Sequence, residues 1–309
     1  SYKDGVLTLN SSVEASIDTA YYVTLESKSG SYATVKVTAM VKPLLADDAK
    51  ITAKDVTYNP KGIKVFVDTS KVPEDAAYTV AKVKNGSKVL SEDSYEYKDG
   101  VLTFNKNVAV GTYVVTFESA KYQDVKVSVK VNKAKGTLTT KAKTTVNTAI
   151  GSKSFNLGAK ATTGMKVSYA SSNKKVATVS SNGTVSVKGT GIATITVTAS
   201  GSNYNTVTKK ITIKVAPKKQ SVKAKTAKKK LTITWTKDSN ATGYQVQIAT
   251  KKNLKGAKTY TVKSYKTYKK TISKLKSKKK YYVRVRSYKT VGKTKLYGAY
   301  STVKSYKVK

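Results

Sequence analysis

Apolar and polar residues alternate with period two along almost the whole chain, and helical spacing is nearly absent. Residues 35–41 read Val-Lys-Val-Thr-Ala-Met-Val, and residues 125–131 read Val-Lys-Val-Ser-Val-Lys-Val. The runs Ala-Thr-Ile-Thr-Val (193–197), Ile-Thr-Ile-Lys-Val (211–215) and Tyr-Tyr-Val-Arg-Val (281–285) follow the same rule. Such runs describe strands with one buried and one wet face. Asp4-Gly5, Asp99-Gly100 and Asn182-Gly183 mark hairpin turns between them. Short strands separated by such turns predict an all-β chain of packed sandwiches.

An internal repeat predicts the boundaries. Tyr2-Lys3-Asp4-Gly5-Val6-Leu7-Thr8-Leu9-Asn10 recurs as Tyr97-Lys98-Asp99-Gly100-Val101-Leu102-Thr103-Phe104-Asn105. After each copy comes a strand pair, residues 22–27 with 35–41 and residues 114–119 with 125–131. The second copy is the C-terminal half of a domain at about 44–132, so residues 1–43 are expected to be the C-terminal half of an equivalent domain. A half-domain exposes an unpaired edge, so self-association through it is one expected partner contact.

Charge divides the chain further. Residues 1–132 hold 17 Lys against 16 Asp and Glu, and residues 133–215 hold 13 Lys and no carboxylate. Residues 216–309 hold 27 Lys, Arg284 and Arg286 against the single Asp238, a net charge of +28. There is no His and no Cys, so imidazole bases, thiolate nucleophiles and the usual zinc or haem ligands are lacking. Paired carboxylates of the glycosidase kind would have to come from residues 1–132. Asp47, Asp48, Asp55, Glu92 and Asp93 could bind calcium only by gathering at a domain junction. The expectation is no enzyme, no cofactor and no metal. No apolar stretch approaches the ~20 residues that span a bilayer, so no membrane insertion is expected.

Three stretches resemble known families. Val167-Ser168-Tyr169-Ala170-Ser171-Ser172-Asn173-Lys174-Lys175-Val176-Ala177-Thr178-Val179, Asn182-Gly183, and Gly189-Thr190-Gly191-Ile192-Ala193-Thr194-Ile195-Thr196-Val197 closely resemble bacterial Ig-like domains of group 2. That likeness implies inward Val and Ile positions and a place in bacterial surface or secreted proteins, intimin-like adhesins among them. Residues 216–309 look like a fibronectin type III domain. The resemblance implies a core Trp235, an inward Tyr244, Val246 and Ile248, and a tyrosine corner at Tyr281 after Leu275, although the family's usual proline between them is absent. Gly111-Thr112-Tyr113 through Ala120-Lys121-Tyr122-Gln123-Asp124 is similar to small Ig-like modules of Gram-positive surface proteins, some of them haemoglobin-interacting; no residue here is identified as a haem ligand.

The expected architecture is therefore all-β: tandem Ig-like and fibronectin type III β-sandwiches in an elongated rod, with domains at 1–43, 44–132, 133–215 and 216–309. Two sets of site residues stand out in the basic domain. Lys228, Lys229, Lys230, Lys278, Lys279, Lys280, Arg284 and Arg286 are candidates for polyanion contact. Lys far outnumbers Arg, which points away from specific nucleic-acid readout and toward anionic cell-wall polymer or host mucin glycan. Tyr265, Tyr268, Tyr297 and Tyr300 are candidates for stacking on sugar rings. Against both stands plain solvation of an exposed sheet. The expected function is a structural and adhesive segment of a modular bacterial surface or secreted protein. Its alternatives are a carbohydrate-binding accessory region of a glycan-degrading enzyme and a subunit of a self-assembling surface filament.

Overall fold

The computed structural model describes residues 42–105 and 108–309, together with the strands Tyr2–Lys3, Val6–Leu7, Ala20–Leu25 and Val35–Met40. The described elements are β-strands and two single-turn 3₁₀ helices, Glu74–Ala76 and Glu92–Ser94. They fall into two compact units, Ser1–Lys135 with Ser202–Asn205, and Gly136–Gly201 with Thr206–Lys309.

In the first unit, a four-stranded sheet orders Tyr95–Lys98, Val101–Phe104, Ile63–Asp68 and Thr52–Ala53. A five-stranded sheet orders Val56–Thr57, Val125–Asn132, Gly111–Glu118, Thr79–Asn85 and Lys88–Val89. The alternation of Ile63–Asp68 sends Ile63, Val65 and Val67 inward and leaves Lys64, Phe66 and Asp68 outside. These meet Leu102, Phe104, Tyr113, Val115, Phe117 and Val129 in one core. Lys98 pairs with Val101 across Asp99-Gly100, and both turn residues have positive φ, 49° and 74°. That is the two-residue hairpin loop whose twist suits paired strands.

The first copy of the repeat pairs in the same register. Tyr2 faces Leu7 and Lys3 faces Val6, as Tyr97 faces Leu102 and Lys98 faces Val101. Val23 faces Val37 and Leu25 faces Val35, as Val115 faces Val127 and Phe117 faces Val125. Asp4 and Gly5 themselves lie outside the described residues.

In the second unit, residues 138–216 form a sheet ordered Thr145–Ala149, Tyr204–Ala216, Gly191–Gly201 and Lys166–Ser171, opposed by Phe155–Asn156, Thr184–Val187 and Ala177–Val179. Leu157, Val185, Ile195, Val197, Ile211, Ile213 and Val215 fill the space between. Ile192 departs from the expected inward set, since the strict alternation of its strand places it on the outer face. The Asn182-Gly183 hairpin forms with a three-residue loop: Gly183 N–H donates to Ser180 O, and Ser180 N–H to Thr184 O. Gly183 has φ +81°, and a Cβ there would lie 2.7 Å from the Tyr169 hydroxyl, so only glycine fits.

Residues 222–308 close around a third core. Val222–Ala227, Lys230–Trp235 and Lys269–Ile272 make one sheet. Lys258–Val262, Gly243–Ala249, Lys280–Val291 and Thr294–Tyr297 make the other, with Lys304–Lys307 also pairing on Lys280–Val291. Trp235, Tyr244, Val246, Ile248, Tyr281, Val283 and Val285 point inward as expected. The tyrosine corner forms without proline, because Lys276 N–H donates to the Tyr281 hydroxyl at 3.0 Å.

Candidate functional site

The strand Lys280–Val291 buries Tyr281, Val283 and Val285 and turns Arg284 and Arg286 outward. Gln247 and Gln245 of the neighbouring strand stand directly opposite them. Arg284 Nε donates to Gln247 Oε1 at 2.8 Å. Arg286 donates from Nε and Nη2 to Gln245 Oε1, at 2.9 and 2.7 Å. The Gln247 amide in turn donates to Thr259 Oγ1.

Aromatic rings complete the arrangement. The Arg284 guanidinium lies 3.9 Å from the Tyr300 ring centroid, and the Arg286 guanidinium lies 4.4 Å from the same ring and 3.9 Å from Tyr297. Residues two apart on a strand are separated by about 6.6 Å, and both guanidinium groups reach the same Tyr300 ring. The column continues through Tyr288, 6.0 Å from Tyr297, to Lys295, whose Nζ is 5.4 Å from the Tyr288 ring. Burial pushes the Tyr288 phenol above its ordinary pKa, with the neighbouring Tyr297 adding to the shift.

Each Arg is thus held by a ring and an amide in place of a carboxylate. The carboxylate of Asp238 is 9% exposed and accepts from Asn240 N–H within its own turn. Among the described residues the ion pair is Lys121–Asp75, in the other unit. The stack fixes the guanidinium planes without cancelling their charge.

The structure therefore gathers Arg284, Arg286, Tyr297 and Tyr300, which the sequence had assigned to two different ligands. Both guanidinium groups lie within 4.4 Å of the Tyr300 centroid, so a sugar would have to compete with them for that ring. Tyr297 keeps part of its ring open. Tyr265 and Tyr268 lie elsewhere. Tyr265 packs against the core and its carbonyl accepts the Tyr244 hydroxyl. Tyr268 is 49% exposed, and its carbonyl accepts Trp235 N–H.

The lysine clusters converge on a different place. Lys228 and Lys229 form the loop between Ala227 and Lys230. Lys229 N–H donates to Lys309 O, Lys278 N–H donates to Val308 O, and Leu275 N–H donates to Lys229 O. The last residues of the chain thereby tie 228–230 to 278–280 at one end of this sandwich. Lys229, Lys274 and Lys278 all have positive φ, between 52° and 61°. That conformation costs a side-chain-bearing residue roughly 1–2 kcal/mol. Lys280 faces Lys307 across the strand pair. Lys274, Lys276, Lys307 and Lys309 belong to this end as well, and only the fold shows it, since 307–309 are far from 228–230 in sequence. Gln245 and Gln247 were also missed, although their alternation already put both on an outward face.

The carboxylates Asp47, Asp48, Asp55, Glu92 and Asp93 do not assemble. Among the described residues no three acidic, His or Cys side chains come together in a way that could hold a metal ion. Asp55 instead accepts Lys130 N–H at 2.9 Å. No helix of the described residues is long and apolar enough to cross a membrane.

Sandwich modules that follow one another in sequence, each with its own core, and outward faces that differ in charge make this a modular all-β chain. Comparisons with known families name the modules. Residues 157–201 match the intimin immunoglobulin-like domain, residues 215–304 the fibronectin type III domain, and residues 49–132 the Hb-interacting domain of Shr-like heme-binding proteins. The Ig-like and fibronectin type III kinds are typically non-catalytic. No curated protein matches the chain. Among solved structures, a multi-domain segment of titin is 14% identical, covering 82% of this chain and 97% of its own, with a TM-score of 0.32. The FN1-FN3 domains of chicken CNTN1 are 12% identical, covering 84% of this chain and 97% of their own, with a TM-score of 0.28.

Proposed function

We propose that the chain is a non-catalytic adhesive segment of an extracellular bacterial protein. Modules at 1–43, 44–132, 133–215 and 216–309 act as a semi-rigid stalk, and the lysine-rich end of the last module contacts anionic cell-wall polymer or mucin glycan. The observation that carries this reading is the convergence of Lys228–Lys230 and Lys278–Lys280 at one end of a sandwich whose single carboxylate is buried. A field of one sign attracts polyanions and destabilises the isolated module through self-repulsion, which a bound polyanion relieves. Lys supplies point charges without planar recognition, so contact is expected to be broad in ligand and steep in salt.

The test is retention of the full chain on immobilised teichoic acid and on sulfated mucin as NaCl is raised. Binding lost with salt, and lost at low salt when the six lysines become Ala, supports the reading. Retention unchanged by those six substitutions sinks it.

A second reading attaches to residues 49–132, where the match is to a domain named for haemoglobin interaction. Phe66 is 74% exposed on the outer face of its sheet and pairs with Val101. An exposed aromatic ring suits a protein partner's hot spot, and it is the domain match that singles Phe66 out. Haemoglobin binding by the full chain, weakened by Phe66→Ser, is the expected outcome; no binding removes this reading.

A further inference from the structure

We propose that the junction between residues 136–216 and 217–309 is a binding site for a single anionic pyranose, a sugar ring bearing a carboxylate or a sulfate. The proposal deepens the polyanion reading, because it too rests on cations without surface carboxylates, but it uses a different set of residues. A groove of about 280 Å³ lies there. Asn147, Thr148 and Lys214 line it from one module, and Thr294, Lys295 and Tyr297 from the other.

The groove is held open by fixed connections rather than by a tether. The Lys218 carbonyl accepts the Ser287 hydroxyl at 3.0 Å and the Gln220 amide at 3.0 Å, and both of those side chains are buried. Gly298 lies so close to the connecting segment that a Cβ on it would stand 2.7 Å from the Pro217 carbonyl oxygen. These contacts pin the connecting segment to the second module, and the Thr190 hydroxyl donates to the Asn240 carbonyl at 2.7 Å, a direct bond between the two modules. A site whose walls are positioned in advance loses little entropy on binding, and junctions between domains are where such sites concentrate.

Its chemistry selects the ligand. Tyr297 stands in the arginine–tyrosine column against Arg286 and also lines the groove. An aromatic ring offers a platform for the C–H face of a sugar. Asn147 supplies both a donor and an acceptor, and Thr148 and Thr294 supply hydroxyls for ring hydroxyl groups. Lys214 and Lys295 supply positive charge, with Arg286 behind the ring. Residues 133–309 contain one carboxylate, Asp238, and it is buried in its own turn. Nothing negative on this wall therefore competes with an anion or repels it. A volume near the lower end of ligand pockets, about 300 Å³, suits one sugar unit rather than a polymer chain.

The experiment is NMR titration of the full-length chain with N-acetylneuraminic acid, with galactose sulfate and with neutral galactose. Saturable shifts confined to Asn147, Thr148, Lys214 and Tyr297 are expected for at least one of the two acidic sugars, and their relative strength identifies carboxylate or sulfate as the preferred group. Neutral galactose is expected to bind about tenfold more weakly or not at all, the weight of one charge-assisted contact. Lys214→Ala and Tyr297→Ala should each weaken binding by about fivefold to tenfold. Lys214 points outward from its strand, so its replacement tests the site even where Tyr297→Ala disturbs the column. Replacing Lys228, Lys229 and Lys230 by Ala should leave these shifts unchanged. Loss of polymer retention in that triple variant, with no saturable shift from either acidic sugar, would overturn the groove and leave the polyanion reading standing. Saturable sugar binding without polymer retention would do the reverse.

Discussion

Residues 44–132 and residues 217–309 are both two-sheet sandwiches, and they hold their cations in opposite ways. In the first, Lys121 meets the Asp75 carboxylate at 3.2 Å. In the second, Arg284 and Arg286 lie against Tyr297 and Tyr300 and donate to Gln245 and Gln247. A carboxylate fixes a cation and cancels it. A ring and an amide fix it and leave the charge in place. The interior alternation is indifferent to this choice, which is why two modules of such different charge share one architecture. The outward positions are free to set the partner.

The largest effect that tests this comparison concerns what the two regions share. Trp235→Ala and Phe117→Ala each remove a buried aromatic from one core. Each is expected to cost about 3–5 kcal/mol in the module that carries it, read from the shift of its urea midpoint. A loss below about 1 kcal/mol at either site would show that the core of that module is held by something other than its inward alternation.

Next in size is the column itself. Arg286→Lys keeps the charge but gives up the planar stack and the fork onto Gln245, and is expected to cost roughly 1 kcal/mol. Arg286→Gln removes the charge as well and should be less costly at low salt than at high salt, because it also relieves self-repulsion. If both variants melt like the parent at every salt concentration, the column is decoration and the cations of this face are merely solvated.

The strand pattern was legible because a period of two states which side of a sheet each residue occupies. Trp235, Tyr244, Val246 and Ile248 follow from it directly, as do the Asp99-Gly100 loop and the matched registers of the two repeats. What lay beyond reach was the meeting of residues distant in sequence. Arg284 and Tyr300 are joined only when the residues after Thr294–Tyr297 fold back over Lys280–Val291, and Lys309 reaches Lys229 only through the last strand. Reading Arg284 and Tyr300 as parts of different sites was the natural error, since alternation gives the side of a sheet and not its neighbours. The Asn182-Gly183 loop was longer than its dipeptide signals, because Ser180 and Thr184 carry the closing bonds.

The smallest expected effect distinguishes the two modules at high pH. Burial raises the phenol pKa of Tyr78, Tyr95, Tyr97 and Tyr113 in residues 44–132, and of Tyr244 and Tyr288 in residues 217–309. A phenol raised above its ordinary value of 10.0 keeps its proton in the folded state after the unfolded chain has lost it. Its contribution to stability is complete below pH 10 and is lost as pH rises from there through the raised value. In residues 44–132 four such phenols act together, so stability should fall steadily above pH 10. Residues 217–309 hold two, Tyr244 and Tyr288. The basic module is therefore expected to show the shallower loss. Urea unfolding at pH 9, 10 and 11 measures both slopes, with Tyr113→Phe and Tyr244→Phe as the variants that remove one phenol from each. An equally steep fall in the two modules, or a fall that Tyr113→Phe and Tyr244→Phe leave unchanged, would mean that the buried phenols do not set the slope.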